Sequence, residues 1–377
     1  MLSLMKTSPT VFAVGESYQI MAPFTEDTVF WVRVGERCFY DHACGVLRSA
    51  VRIHRVTVPG EILNAARRYT VCYRRVIERR PYFPLLEDTV ELTYDFRPLP
   101  DTDIRIYHVA DAHGMVDAPV AAAKKFSAVY GGIDLLVLNG DVIDHSGSVE
   151  NFDAIYRISE GIAAGEIPVV FSRGNHDTRG LCAERFCEYI PLSPTGDSYF
   201  SVRQGPLWAV VIDCGEDKPD ENAEYGGTVC FADFRAHEEA FLNALTEHSE
   251  TEYAAPGVRY RLVFSHMPFT RKNQPPFDIE EARYTAWAEL LRTCVRPQLF
   301  LAGHTHRLAF DPIAGDADAF GQPSPIAVLS APDRKNARWS GGGCILKETE
   351  ILVVYNSAEE ILEERQVPLY DEMKKES

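Results

Sequence analysis

Residues 167–180 read IPVVFSRGNHDTRG and join two stretches of opposite character. The first six residues are mostly apolar and have the length of a buried strand. They run directly into an amide, an imidazole and a carboxylate at Asn175, His176 and Asp177. Packing alone gives a buried strand no reason to end in three such groups. Their meaning depends on what lies at the ends of the neighbouring strands.

The sequence from residue 104 onward alternates between apolar runs and helical patterns. Such alternation predicts an α/β core whose strands are largely buried. A charged segment, 361–367, is predicted to return as a hairpin strand after the last core strand. The predicted core strands are 104–110, 134–139, 168–172, 208–213, 260–264, 298–302, 325–330 and 351–355, and the predicted helices are 117–130, 150–164, 233–247 and 280–293.

Residues 10–97 have a different pattern, in which short β-rich segments alternate with turn residues such as Pro59-Gly60. Residues 1–100 are also nearly neutral, so the rest of the chain carries essentially all of the net charge of −17. A shift in pattern and charge together indicates a domain boundary. We therefore predict a small all-β sandwich, of the fibronectin or immunoglobulin kind, over 1–98 and an α/β domain over 99–377. The predicted sandwich strands are 28–34, 51–58, 69–77 and 89–96.

The composition argues against several classes of protein. The chain has no run of 18 apolar residues and no apolar leader, so we expect neither a membrane span nor export. An acidic surface repels polyanions, which argues against a nucleic acid as the partner. The nine cysteines include no C-x-x-C pair, which favours free thiols in a cytoplasmic protein, with a Cys38–Cys44 disulfide as the alternative.

Polar groups follow five of the six predicted buried strands between residues 104 and 302, and the strand at 208–213 is the one without an assigned motif. Ligands of open α/β sheets gather at such strand ends. Glycine begins three of the motifs and allows the backbone to turn sharply there. The motifs are Asp111-Ala112-His113, Gly140-Asp141-Val142-Ile143-Asp144, Gly174-Asn175-His176-Asp177, Ser265-His266 and Gly303-His304-Thr305-His306.

The spacing within these motifs favours a metal site. Residues i and i+2 of an extended segment project to the same side, so Asp111 and His113 can reach one point in space, and so can His304 and His306. Carboxylate oxygen and imidazole nitrogen suit Zn, Mn or Fe. No cysteine belongs to the set, which disfavours a structural zinc site.

Each motif has an ordinary structural reading when it is taken alone. An Asp-x-His pair occurs often by chance, and Gly-Asp-x-x-Asp is frequently a turn followed by a helix cap. Gly-Asn-His-Asp and Gly-His-x-His are more specific. Their order, one motif per strand end and in phase with the α/β alternation, is hard to obtain from packing needs, so the joint pattern favours a site.

Together the motifs resemble the signature of the calcineurin-like metallophosphoesterase superfamily, over roughly residues 104–355. The resemblance implies a two-sheet sandwich flanked by helices and a pair of divalent or transition-metal ions, with Mn, Fe or Zn expected. Two adjacent cations can polarise a phosphoryl group and activate water. The resemblance assigns one ion to Asp111, His113, Asp141 and His306, and the other to Asp141, Asn175, His266 and His304, with Asp141 bridging.

The resemblance also implies roles for three residues that are not ligands. His176, with the Asp144 carboxylate as its partner, is expected to protonate the leaving oxygen, because histidine can donate a proton near neutral pH. The alternative for Asp144 is a cap on the segment that follows it. Arg173 is expected to contact the phosphate.

The two-domain plan is similar to that of purple acid phosphatases, although two motif positions differ. His113 stands where that group has glycine, and Asp144 stands where it has a tyrosine ligand. Protein serine/threonine phosphatases grip phosphate with two arginines. Arg173 matches one of these arginines, whereas His145 occupies the position of the other.

The predicted function is metal-dependent hydrolysis of a small phosphate ester, either a monoester or a diester. The nucleophile would be hydroxide held between the two ions. The alternative is a non-catalytic scaffold or binding protein that has kept the fold. No ligand position of the signature is missing, which favours the enzyme. The identity of the ester and the oligomeric state are left open by the sequence.

Overall fold

Two large β-sheets form the centre of the protein, and the computed structural model describes them within residues 4–369. The strands are β1 Thr10–Val14, β2 Ser17–Pro23, β3 Thr28–Val34, β4 Arg37–Tyr40, β5 His42–Ala43, β6 Val46–Leu47, β7 Ile53–Pro59, β8 Arg68–Glu78, β9 Leu85–Leu86, β10 Val90–Asp95, β11 Ile104–Val109, β12 Leu135–Asn139, β13 Pro168–Ser172, β14 Phe200–Gln204, β15 Leu207–Ile212, β16 Tyr260–Ser265, β17 Leu299–Ala302, β18 Ala309–Asp311, β19 Ile326–Val328, β20 Ser330–Asp333, β21 Arg338–Leu346, β22 Glu350–Asn356 and β23 Ile361–Pro368. The helices are α1 Gly60–Ala66, α2 Asp117–Tyr130, α3 Asp153–Ile162, α4 Phe231–Glu247 and α5 Glu281–Leu290, the last continued by a π-helical turn at Leu291–Val295.

The larger sheet has ten strands in the order β23-β22-β21-β11-β12-β13-β1-β2-β7, with β20 paired to β21. The smaller central sheet has six, in the order β14-β15-β16-β17-β19-β18. One hydrophobic cluster fills the space between the two sheets. A second cluster lies under α2 and α3 on the outer face of the large sheet, and a third lies under α4 and α5 on the outer face of the small sheet. The result is the predicted two-sheet α/β sandwich flanked by helices.

The central strands owe their position to their composition. Strands β12 and β13 are apolar almost throughout and every residue of each is buried, as in sheets covered on both faces. Strands β11, β12 and β13 run parallel, so their carboxyl ends lie at one edge. The same holds for β15, β16 and β17 in the other sheet. The polar motifs of the sequence follow these ends.

The predicted elements occur with small changes in their bounds. The helix predicted at 117–130 has those bounds, and the segment predicted at 361–367 pairs with β22 as an antiparallel hairpin strand. The helix predicted at 150–164 is divided into a 3₁₀ turn, Val149–Phe152, and α3. Strands β1 and β2 were not singled out from the sequence.

The N-terminal region is all-β apart from α1, as predicted, but residue 98 does not mark a break between two independent sheets. Strands β3, β4, β8, β9 and β10 form a separate five-stranded sheet, whereas β1, β2 and β7 extend the ten-stranded one. Strand β1 pairs in parallel with β13. All five residues of β1 are buried, so this strand needs a neighbour on each edge and cover on each face.

Two expectations about the chain as a whole concern its thiols and its helices. All nine cysteines lie among the described residues, and each is a free thiol, including Cys38 and Cys44. None of the helices within residues 4–369 has both the length and the apolar character needed to cross a membrane.

Replacing Phe12 of β1 by alanine tests whether the N-terminal strands belong to the central fold. The ring is fully buried and meets those of Tyr156 and Phe171 edge-on, with centroids 6.4 Å apart in both cases. Phe12→Ala is expected to lower the free energy of unfolding by about 3–5 kcal/mol. Urea unfolding followed by circular dichroism should show one transition, shifted as a whole.

The matched control is Phe83→Ala, because the Phe83 side chain is 82% exposed in the same N-terminal region. Its effect should stay within about 0.5 kcal/mol. Two separate transitions, with only one of them moved by Phe12→Ala, would contradict the shared sheet.

Candidate metal centre

The seven side chains predicted to bind metal converge where the carboxyl ends of the two sheets meet. Four of them follow strands of the ten-stranded sheet, and three follow strands of the six-stranded sheet. All but His304 and His306 belong to buried residues. They are Asp111 and His113 after β11, Asp141 after β12, Asn175 after β13, His266 after β16, and His304 and His306 after β17.

Asp111, His113 and His306 form the first half of the cluster. The Nε2 atoms of the two histidines are 3.0 Å apart, and Nε2 of His306 is 3.2 Å from Oδ1 of Asp111. Nε2 of His113 lies 4.0 Å from the same carboxylate oxygen. Three donor atoms within 4.8 Å of one another can hold one ion.

His266, His304 and Asn175 form the other half, next to Asp141. Nε2 of His266 lies 3.2 Å from Oδ2 of Asp141. Nδ1 of His304 lies 3.1 Å from Oδ1 of Asn175. Asp141 belongs to one ligand group with His266 and to another with His113, as a bridging carboxylate must.

Hydrogen bonds fix the orientation of these ligands. The backbone carbonyl of Asn139 accepts from Nδ1 of His266 at 2.8 Å, which leaves Nε2 of that ring turned towards Asp141. The backbone N–H of His304 donates to Oδ2 of Asp111 at 2.8 Å, and the hydroxyl of Ser330 donates to the same oxygen. Each of these bonds leaves one donor atom of the ligand free for an ion.

The backbone around the ligands is strained. Asp111, His113, Asp141, His304 and His306 all have positive φ, between 45° and 69°. Residues with side chains rarely adopt this conformation, and it concentrates at functional sites. Gly174 has a steric reason to be glycine, because a Cβ there would lie 2.3 Å from Oδ1 of Asp141.

The carboxylates shape the electrostatics of the cluster. Burial opposes a charge on His266, but Asp141 and Asp111 outweigh it and raise the pKa of His266 to about 10. Burial lowers the pKa of His113 to about 4, so this ring is neutral at pH 7 and able to act as a ligand. Two buried carboxylates side by side need positive charge nearby.

The residues fit the pair of ions that the motifs imply. Oδ1 of Asp111 and Nε2 of His266 are buried, and neither has a well-aligned hydrogen-bond partner among residues 4–369. Both point into the cluster, where a cation would satisfy them. Carboxylate and amide oxygens combined with imidazole nitrogens suit Mn, Fe or Zn.

Asp177 holds the backbone of two ligand loops in place. Its Oδ2 accepts hydrogen bonds from the backbone N–H groups of Gly174, at 2.8 Å, and Asp141, at 3.2 Å. It thereby ties the loop after β13 to the loop after β12.

His176 lies beside the cluster, but its partner differs from the predicted one. Nδ1 of His176 is 2.9 Å from the backbone carbonyl of Asp144 and not from its carboxylate. The carboxylate of Asp144 instead accepts from Nη2 of Arg334 at 2.9 Å and lies 3.6 Å from Nδ1 of His113. His176 therefore contacts the backbone of Asp144 and not its carboxylate as predicted. The carboxylate pairs with Arg334 instead.

Arg173 is not among the groups that surround the cluster. Its Nε lies 2.7 Å from Oδ2 of buried Asp213, and the guanidinium is 5.2 Å and 5.6 Å from the ring centroids of Phe234 and Phe231. Asp213 lies directly after β15, the strand to which the sequence analysis assigned no polar motif. A carboxylate at that strand end was the available signal that Arg173 has a partner inside the protein.

Sequence reasoning missed two residues near the ligands. Arg334 lies in the turn after β20, 190 residues from its partner Asp144, and no local pattern marks it. Asp217 lies in the loop that follows β15. Its Oδ2 lies 4.0 Å from Nε2 of His304.

Residues 104–308, more than half of the chain, match the family model described as calcineurin-like phosphoesterase. The chain belongs to the calcineurin-like phosphoesterase family. A search of curated proteins gave no match. Family membership and the ligand set together indicate a metal-dependent hydrolase of phosphate esters with a dinuclear centre.

The solved structures that match this chain include a purple acid phosphatase and two sorting proteins. Purple acid phosphatase PPD1 from seeds of yellow lupin (Lupinus luteus) aligns with 96% of this chain and 74% of its own, at 12% identity and a TM-score of 0.60. Vacuolar Protein Sorting 29 of Cryptosporidium parvum covers 71% of this chain and 100% of its own, at 11% identity and a TM-score of 0.35. Vps29 of Chaetomium thermophilum covers 71% and 98%, at 9% identity and 0.31. The likeness to the lupin phosphatase concerns the fold, and it extends over the N-terminal strands of this calcineurin-like phosphoesterase.

Metal analysis of ligand variants tests the shared position of Asp141. After reconstitution with Mn²⁺ and removal of free metal, the native protein should hold about two ions per chain. Asp141→Ala should lose both ions because it contributes to both ligand groups. His306→Ala should keep about one, since His306 belongs to the first half alone.

Asp233→Ala is the matched control, because its carboxylate is largely exposed on α4 and is not part of the ligand set. It should keep both ions. Two ions retained by Asp141→Ala would rule out the bridging position.

A stability measurement on Arg173→Met tests the revised role of that arginine. The substitution leaves the Asp213 carboxylate buried without its cation, which is expected to cost about 3–5 kcal/mol of folding free energy. The KM for a small phosphate ester should change little in protein that remains folded. A large rise in KM with unchanged stability would instead return Arg173 to the substrate.

Proposed function

We propose that the protein hydrolyses small phosphodiesters in preference to phosphomonoesters, at a dinuclear centre of Mn, Fe or Zn. The ligands of one ion would be Asp111, His113, Asp141 and His306, and those of the other Asp141, Asn175, His266 and His304. When bound, such ions supply Lewis acidity and a nucleophile made from water at neutral pH. The choice of diesters is carried by one observation, the withdrawal of Arg173 into a buried ion pair.

Two arginines near the cluster are already paired with carboxylates of the protein. Arg334 pairs with Asp144, and Arg179 pairs with Asp217 and with the buried Glu216, at 2.6 Å. A monoester at neutral pH carries close to two negative charges, whereas a diester carries one. Because Arg173 is held in its ion pair with Asp213, the protein stabilises the second negative charge of a monoester less. This supports a diester as the substrate.

His176 is placed to act on the leaving group. A carbonyl oxygen can only accept a hydrogen bond, so the bond to Asp144 O keeps the proton on Nδ1. The backbone contact fixes the ring against His113, at 4.9 Å between centroids. Nε2 is then the atom that contacts the ester, and in the protonated ring it donates to the departing oxygen.

A non-catalytic scaffold is the alternative that the ligand geometry disfavours. A scaffold does not need five ligand residues held at positive φ or carboxylates buried in pairs, since both features cost stability. Such costs are retained where they serve a site. Turnover of any phosphate ester that depends on Asp141 would exclude the scaffold.

The rate ratio between a diester and a monoester tests the proposal. With p-nitrophenol as the common leaving group, kcat/KM for methyl p-nitrophenyl phosphate should exceed that for p-nitrophenyl phosphate by at least about tenfold, equivalent to about 1.4 kcal/mol. Both substrates should be assayed with Mn²⁺ and at several pH values, so that the charge of the monoester is known.

Asp141→Ala serves as the control that assigns the turnover to this site, and it should abolish both reactions. A kcat/KM that is higher for the monoester would overturn the proposal in favour of a phosphomonoesterase.

A further inference from the structure

A narrow apolar cleft opens beside His304, and nothing in the chemistry described so far uses it. His304 forms one wall, and Asp217, Phe277, Ile279 and Tyr284 contribute to the others. Met267, which also lines the cleft, directly follows the ligand His266. The cleft is therefore continuous with the metal cluster.

We propose that this cleft is the subsite for a small alkyl substituent of the substrate, the ester group that stays on phosphorus. The inference rests on the proposed phosphodiesterase function and specifies its substrate class as diesters that carry an aliphatic group of one to three carbons. In the reaction, water adds to phosphorus and the bond to the leaving oxygen breaks. The proton from water ends on that oxygen, and the alkyl phosphate is the product.

The position of the cleft assigns it to the retained group. The cleft adjoins His304, which belongs to the half of the cluster with His266, at 5.3 Å between ring centroids. His176, which faces the leaving group, packs against His113 of the other half. The two substituents of a diester bound at the cluster thus have separate places.

The floor of the cleft is rigid. The Phe269 ring is buried and packs against Tyr284, Trp287 and Phe300, with centroids between 5.4 Å and 5.7 Å apart. Packed aromatic rings of this kind hold their shape and offer an apolar surface. The floor therefore selects for shape and does not adapt to a bulky group.

Charged residues that line the cleft are compensated, and one of them, Arg271, has its Nε 3.4 Å from Oδ2 of Asp311. Asp217 lies 3.4 Å from Nη2 of Arg179 and 3.6 Å from Nζ of Lys218, and it accepts from the hydroxyl of Tyr225 at 3.3 Å. The Lys218 ammonium also sits 5.4 Å from the ring centroid of Phe277. The Asp217 carboxylate and the Phe277 ring therefore already have cationic partners within the protein. A neutral apolar group fits the cleft better than a further cation.

The size of the cleft limits its occupant. Its interior volume is about 30 Å³, which corresponds to about two to three water molecules at 10–15 Å³ each. This space admits a methyl, ethyl or propyl group. A phenyl ring or a nucleobase would require Phe277, which is 41% exposed at the rim, to move.

A series of p-nitrophenyl phosphodiesters that differ in the second substituent tests the subsite. From methyl to ethyl to n-propyl, kcat/KM should rise about threefold to fourfold per carbon, the equivalent of about 0.8 kcal/mol for each buried methylene. For the phenyl ester it should fall below the propyl value. Phe277→Ala opens the rim, so it should flatten the rise and remove the penalty on phenyl, whereas Phe83→Ala should leave the whole profile unchanged.

Binding of alkylphosphonates gives a second measurement that needs no turnover. Calorimetry on the Mn²⁺-loaded protein should show affinity increasing from methylphosphonate to propylphosphonate, with the increase lost in Phe277→Ala. Equal rates across the diesters, or a profile that Phe277→Ala does not change, would overturn the subsite.

The two proposals fail in different ways. If p-nitrophenyl phosphate is turned over and no diester is, the phosphodiesterase is wrong, and the phosphonate series alone decides the subsite. Phosphonates that bind without any dependence on chain length would then overturn the subsite as well.

Discussion

The burial of Asp111 and Asp141 next to each other is the constraint on which the rest of the structure depends. Neither carboxylate is more than 1% exposed, and each raises the cost of a charge on the other. Such a pair is stable only when cations compensate it from within the protein. The surrounding histidines, the left-handed backbone at five ligands and the glycines beside them all serve to bring donor atoms around these two groups.

The donor atoms come from both sheets, so the cluster also holds the sandwich together at one edge. The amide of Asn139, at the end of β12, donates to the carbonyls of Ser265 and Leu301 in the other sheet, at 3.1 Å and 3.0 Å. Ions bound by residues of both sheets add to this connection. Ions that bind the folded state alone stabilise it by an amount that grows with the logarithm of their concentration relative to Kd.

Much of the fold and of the metal cluster could be predicted from the sequence. The features that could not be predicted have one cause in common. The ligands were visible because each lies just after the end of a strand, which is a local pattern. The partners of Arg173 and Asp144 were not, since Asp213 and Arg334 approach from distant parts of the chain. The sharing of the ten-stranded sheet by the N-terminal strands was not visible either, because composition and charge do not reveal that β1 pairs with β13.

The parallel pairing of β1 with β13 sets the order in which a ribosome can complete the fold. Val11 is paired with Pro168, so roughly 160 residues of nascent chain separate the two strands. At about 5–20 residues per second, one edge of a strand that is fully buried in the finished fold waits on the order of ten to thirty seconds for its neighbour. Strand β2 covers the other edge early, because Ser17–Pro23 follows at once as a hairpin. Until Ser172 leaves the exit tunnel, the open edge of β1 is the surface that a chaperone would have to shield from other chains.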